Sequence, residues 1–130
     1  MQNPSTSERR DGQWLAPDGV AVMGEPGRLT VRLTADAHGL ALRLEGEFDL
    51  ETAREFDRHL AAIDQAHVTR VLIDLRGVTF MDSRGLASIV RAHRLAEANG
   101  HALVLRRGSN QVRRLFALTG IDERLTFEDD

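Results

Sequence analysis

Cysteine and lysine are both missing from this 130-residue chain, so all 17 of its Lys/Arg positions are arginine. The lack of cysteine excludes disulfides, thiolate catalysis and cysteine-ligated metals. The lack of lysine bears on Asp49, Asp74 and Asp82, which otherwise invite the phosphoacceptor or magnesium site of a response regulator; that site needs a lysine on a late strand. No apolar run approaches the roughly 20 residues that span a bilayer. Residues 1–11 are polar, without the apolar stretch of a signal peptide, and together these features predict a cytoplasmic protein with no membrane insertion. An excess of basic charge is lacking as well. The formal net charge is −3, and no wide basic face is available to neutralise phosphates, which argues against nucleic-acid binding.

Catalytic and metal patterns are equally scarce. There is no G-x-S-x-G elbow. His93 lies ten residues after Ser83, about 15 Å along a helix axis and out of proton-transfer reach. The 5 histidines show no H-x₃-H spacing, and His59 and His67 are too far apart in sequence for one helical metal site. We therefore expect no enzyme, no metal and no cofactor.

What is present is an ordinary complement for one compact domain, with 42% hydrophobic and 28% charged residues. Residues 1–27 read as a leader, with Val20 to Met23 as an extra edge strand or an anchored loop. Leu29, Val31 and Leu33, then Leu40, Leu42 and Leu44, alternate with polar residues around a turn at Asp36-Ala37-His38-Gly39, the pattern of a hairpin. Ala53, Phe56, Leu60 and Ile63 repeat at helical spacing, with Asp49 or Thr52 as the cap. Val71 to Leu75 is nearly continuously apolar and suits a central strand covered on both faces. A second helix is expected from about Ser83 to Ala98, with Leu86, Ile89, Val90, His93 and Ala96 inward and Asn99-Gly100 as its stop. Ala102 to Leu105 follows as a strand. A third helix starts near Ser109, burying Val112, Leu115, Phe116 and Thr119 and ending at Gly120. Leu125 to Phe127 forms a last strand or simply packs, and residues 128–130 are an acidic tail. The alternation predicts an α/β fold, a mixed sheet of four to five strands packed with three to four helices.

The segment from Val78 to Leu86 joins the central strand to the second helix, at the rim where partners and ligands usually bind. Asp82 or Ser83 can accept from the free amides of the first helical turn, and a phosphate on Ser83 would be favoured there as well. The plain alternative is that both residues serve only as caps.

Four stretches fall in a telling order: Glu45-Gly46-Glu47-Phe48-Asp49-Leu50, Val71 to Val78, Phe80-Met81-Asp82-Ser83-Arg84-Gly85-Leu86, and Val112 to Ile121. In these, residues 28–127 resemble a STAS domain, the family of bacterial anti-sigma factor antagonists. The resemblance implies a protein-binding regulatory module. Its partner would be an anti-sigma factor that has a kinase-like ATPase fold and also acts as a serine kinase. Binding frees a sigma factor, and phosphorylation of the residue immediately before the loop glycine reverses it. Here that residue is Arg84. Three readings follow: Ser83 is the acceptor instead, the protein is locked in its binding-competent form, or Arg84 anchors a different partner. The partner-binding residues so implied are Glu47, Asp49, Asp82, Ser83, Arg84 and Gly85. Other STAS-like modules are adaptor or scaffold subunits of signalling or transport assemblies with no kinase step, and that is the alternative function. Arg106-Arg107 and Arg113-Arg114 read either as a solvated face or as a surface for a partner or small anion. Open sheet edges leave room for a homodimer.

Overall fold

The computed structural model describes residues 8–10, 13–15, 21–24, 28–36, 39–62 and 68–128. Eight strands form one sheet in chain order: β1 (Glu8–Arg10), β2 (Gln13–Leu15), β3 (Ala21–Gly24), β4 (Thr30–Asp36), β5 (Gly39–Phe48), β6 (Arg70–Met81), β7 (Ala102–Arg106) and β8 (Thr126–Glu128). Pairing is antiparallel from β1 through β5 and parallel from β5 through β8. Helices α1 (Leu50–Ala62), α2 (Ser83–Asn99) and α3 (Asn110–Thr119) make the three parallel crossovers, and a 3₁₀ turn, Ile121–Arg124, precedes β8. Strands β4 to β8 with the three helices are the expected mixed α/β domain.

Several expectations need adjustment. The apolar stretch near Val22 is strand β3, and two more short strands extend the antiparallel side beyond it. Glu128 is not tail. It ends β8, opposite Arg106 of β7, and its carboxylate pairs with Arg70 at 2.8 Å. The first residues of the leader, the turn at Glu25 to Gly27, the tip at Ala37-His38, Ile63, His67 and residues 129–130 lie outside the described residues.

The core is one cluster formed by one face of the strands and the inner sides of the helices. Leu42, Leu44 and Phe48 enter it from β5, as alternation dictates. On β6 the buried apolar residues are Val71, Ile73, Leu75, Val78 and Met81. Their spacing changes from two to three because β6 carries an extra residue at each of two places: Leu75-Arg76 lie opposite Leu44 alone, and Thr79 has no counterpart between Gly46 and Glu47. These bulges let one strand keep its apolar set inward along its whole length.

The other face of β6 is not buried under helices as its apolar run suggests. Leu72 is half-buried between Ala41 and Val104, and ion pairs lie further along this face: Asp74 with Arg76 at 2.8 Å, and Glu45 with Arg32 at 3.1 Å. Asp74 accepts from the Arg76 amide and guanidinium. Burial pushes the Asp74 carboxyl up, but those hydrogen bonds and the charges of Arg76 and Arg43 outweigh it and hold it below the ordinary value.

The helices keep their expected periods with changes at the edges. In α1, Ala53, Phe56 and Leu60 are buried, and the Phe56 ring meets Phe48 edge-on at 5.2 Å. In α2 the inward residues are Leu86, Ile89, Ala92 and Ala96 together with Ser88, whereas Val90 and His93 sit only half-buried at the boundary. Ser88 is tolerated because its hydroxyl reaches the Ala53 carbonyl of α1 at 3.4 Å and accepts from Arg91 at 3.0 Å. In α3, Val112 and Phe116 are buried, Leu115 is half-buried and Thr119 is exposed. The Thr119 hydroxyl reaches back to the Leu115 and Phe116 carbonyls. Gly100 and Gly120 close α2 and α3 in the left-handed conformation, with φ of 74° and 72°.

Candidate functional site

Strands β5 and β6 run parallel and end level with one another, Phe48 beside Met81. Each is followed by one aspartate and then a helix, so Asp49 and Asp82 sit at the same rim of the sheet. The start of the segment expected to join the central strand to the second helix, Val78 to Met81, is therefore strand, as are Gly46 to Phe48. Extended pairing continues to Phe48 and Met81, and the bulges in β6 provide the register that allows it.

At the first helix start, Asp49 and Thr52 act together rather than as alternatives. The Thr52 amide donates to Asp49 Oδ1 at 3.2 Å, and the Asp49 amide donates to Thr52 Oγ1 at 2.9 Å. This is a reciprocal cap, and the Thr52 hydroxyl also reaches the Glu47 carbonyl at 2.8 Å. The backbone hydrogen bond from Thr52 is the main reason the Asp49 carboxyl titrates below its ordinary value, with Arg28 adding a favourable charge. Arg28 itself pairs with Glu51 at 3.3 Å and Glu55 at 3.1 Å, tying the chain before β4 to the first turns of α1.

At the second helix start the cap is Asp82 alone. Its Oδ1 accepts from the amides of Arg84 at 2.9 Å and Gly85 at 3.1 Å. Ser83 is not the inward cap; it is exposed, as is Arg84. Gly85 is buried for a steric reason. A Cβ there would lie 2.4 Å from the Phe48 carbonyl oxygen and 2.9 Å from the Phe48 ring. The missing side chain lets α2 start hard against the end of β5, and the Asp82 amide bonds the same Phe48 carbonyl at 3.2 Å. Gly85 thus shapes the site without presenting a side chain to it.

The rim brings together Glu47, Asp49, Asp82, Ser83 and Arg84. Residues that the sequence did not single out join them. Leu50 and Phe80 are large apolar side chains left 43% and 44% exposed, beside Asp49 and opposite Glu47 respectively. A cationic and hydroxyl-bearing helical turn flanked by exposed apolar groups and an acidic strand end is a surface suited to a protein partner. It holds no nucleophile–base pair. Among the described residues no group of His, Asp or Glu comes together that could hold a metal ion, and no helix is long and apolar enough to cross a membrane.

Three of the four paired arginines engage groups of the chain itself. Arg106 lies 3.8 Å from Glu128, Arg107 stacks on the Phe127 ring at 4.0 Å, and Arg113 bonds the Gly108 carbonyl at 3.3 Å.

A family model described as "Mlab, STAS domain" matches residues 31–127. The chain belongs to the STAS domain family. It is accordingly a regulatory and not an enzymatic module, within a family that includes anti-sigma factor antagonists which bind anti-sigma factors. This STAS domain is 26% identical over 95 residues to the anti-sigma-B factor antagonist of Staphylococcus aureus, covering 73% of this chain and 88% of that protein. It is 31% identical over 83 residues to the anti-sigma F factor antagonist of Lysinibacillus sphaericus, covering 63% and 71%. Among solved structures, the anti-sigma factor antagonist SpoIIAA in its unphosphorylated form matches at a TM-score of 0.65 and 25% identity, covering 77% of this chain and 87% of that one. An anti-sigma factor antagonist from Mycobacterium paratuberculosis shares the fold at a TM-score of 0.66 and 24% identity, covering 81% and 89%.

Proposed function

We propose that this STAS domain is an anti-sigma factor antagonist whose partner-binding surface is the rim formed by Glu47, Asp49 and the first turn of α2. Its partner is an anti-sigma factor of kinase-like ATPase fold, met in the cytoplasm, and binding frees a sigma factor. The observation that carries the reading is the division of labour at the α2 start. Asp82 is occupied in capping, Gly85 is packed away, and Ser83 and Arg84 are left exposed, as are the apolar side chains of Leu50 and Phe80 at the same strand ends.

The position that the family resemblance assigns to the phosphorylated hydroxyl holds Arg84. A guanidinium keeps its positive charge at all physiological pH and cannot be a serine kinase's substrate. We therefore read the protein as an antagonist held in its binding-competent form. Ser83 precedes that position by one residue, which turns its side chain about 100° around a helix of 3.6 residues per turn.

The test mixes the protein, a kinase-fold anti-sigma factor and ATP, then measures complex formation and intact mass. A complex with no added phosphate is expected, and Arg84→Ser is expected to gain one phosphate at position 84. Phosphate on Ser83 of the unaltered protein would overturn the locked reading; absence of any complex would overturn the partner. The lack of a hydroxyl at position 84 also favours a second reading, an adaptor or scaffold subunit of a signalling or transport assembly. That reading predicts a constitutive stoichiometric partner in pulldown and no sigma-dependent effect.

A further inference from the structure

Strand β7 covers β6 only from Arg70 to Asp74. From Leu75 to Met81, β6 keeps β5 on one side while β7 is absent from the other. A strand edge presents amides and carbonyls that need partners. At Met81 they come from a side chain. Gln111, in the first turn of α3, accepts from the Met81 amide through Oε1 at 3.0 Å and donates to the Met81 carbonyl through Nε2 at 2.8 Å. A primary amide carries the same donor and acceptor as a peptide group, so Gln111 stands in for the missing β7 residue. The connection before α3 comes close enough because Gly108 lies against β6, where a Cβ would be 2.8 Å from the Leu75 carbonyl oxygen.

The next amide along, that of Asp82, points the opposite way and bonds Phe48. The backbone entering the cap is thus held from both sides, by α3 through Gln111 and by β5 through Phe48. We infer that Gln111 is a positioning residue for the partner-binding surface: it fixes the tip of β6, and with it the direction in which Asp82 launches Ser83 and Arg84. The link to partner binding rests on the proposed function, whereas the clamp itself stands without a partner.

The decisive variants are Gln111→Leu, which keeps the bulk and removes both hydrogen bonds, and Gln111→Glu, which makes the clamp titratable. A protonated Glu offers one donor and one acceptor like the amide. An ionised Glu has acceptors only, so it loses the bond to the Met81 carbonyl and repels it. The charged neighbours are Arg114, beside Gln111 on the same shallow groove of α3, and Asp82, next to Met81. Unaltered protein measured at each pH controls for both.

Amide exchange of residues 81–85 in the ¹⁵N-labelled full chain is the first readout, and affinity for the kinase-fold anti-sigma factor is the second. For Gln111→Leu we expect exchange at Met81 to rise about tenfold and affinity to fall about five- to tenfold at every pH, the scale of losing one or two net hydrogen bonds. Gln111→Glu should match the unaltered protein at low pH and loosen as its carboxyl ionises, a step that a general loss of stability would not produce. Unchanged exchange in both variants, or a Gln111→Glu variant indifferent to pH, would overturn the clamp. A loosened Met81 with undiminished affinity would overturn the positioning role. If the unaltered protein binds no such partner while the clamp signature appears, the proposed function fails and the clamp stands.

Discussion

Helices α2 and α3 are built to one plan. Each opens on a side-chain cap, Asp82 or Ser109, and each closes on a left-handed glycine. The difference lies in what precedes them. A single residue separates β6 from α2, so the helix start is fixed by the strand and by the contact of Gly85 with Phe48. Three residues, Arg107 to Ser109, separate β7 from α3, enough for that helix to lean over the uncovered edge of β6 and deliver Gln111 to Met81. On the function proposed above, one helix displays the surface and the other braces it. Similar local chemistry thus serves recognition or support according to the length of the connection.

The sharpest way to break this comparison is to fill the two close approaches. Gly85→Ala should lower unfolding free energy by about 3 kcal/mol in urea titration, because its Cβ meets the backbone of β5 in a packed core. Gly108→Ala should cost about 2 kcal/mol, since a connecting segment can yield where a helix-to-strand contact cannot. The reverse order would show that α3, and not α2, is the rigid partner.

Removing the caps should matter less. Asp82→Ala is expected to lose about 1 kcal/mol, and Ser109→Ala about 0.5 kcal/mol. The Ser109 bond to the Val112 amide is 3.4 Å long, against 2.9 and 3.1 Å at Asp82. Urea unfolding of the two variants side by side measures the difference.

A third helix start extends the comparison to pH. Asp49 and Asp74 both titrate below the ordinary value of 3.8 in the folded chain. Each therefore contributes stability that is fully present above that value and is lost as pH falls through the lower folded one. Unfolding midpoints measured from neutral pH down to about pH 3 should decline, and Asp49→Asn should flatten part of that decline. The smallest effect belongs to the exposed first turn: Arg84→Ala should change stability by less than about 0.5 kcal/mol while altering partner affinity.

Much of this was legible in the sequence. Alternation at Leu29 to Leu33 and Leu40 to Leu44 marks strands, helical spacing marks Ala53 to Leu60, and Gly120 marks a helix end, because each reflects a local backbone period or conformation. The rim was legible through Asp82 and Ser83, whose place before an apolar helical pattern marks a cap, although the choice between them came only with the Asp82 hydrogen bonds. What escaped depends on contacts distant in sequence. Nothing near Gln111 says that β7 stops short of Met81, and nothing near Gly85 says that Phe48 lies against it. Val78 to Met81 read as a connection because buried residues three apart break the alternation of a strand. Val71 to Leu75 suggested burial on both faces, but on the second face Leu72 is only half-buried between Ala41 and Val104, and ion pairs such as Asp74 with Arg76 take over beyond it.

The two bulges in β6 bring a further constraint. Beyond them, inward and outward side chains alternate in a phase set by the count of residues and not by their chemistry. Deleting Thr79 alone would leave Val78 inward, Phe80 outward and Met81 inward in plain alternation, whereas inserting one residue between Phe80 and Met81 would turn Met81 outward and swing the start of α2 away from the rim. The surface can therefore change its lettering, as Arg84 in place of a hydroxyl illustrates, far more readily than it can change its length. Variation among STAS domains at this rim should run through substitution, with changes of length confined to the bulges themselves or to positions outside the segment from Phe80 to the first turn of α2.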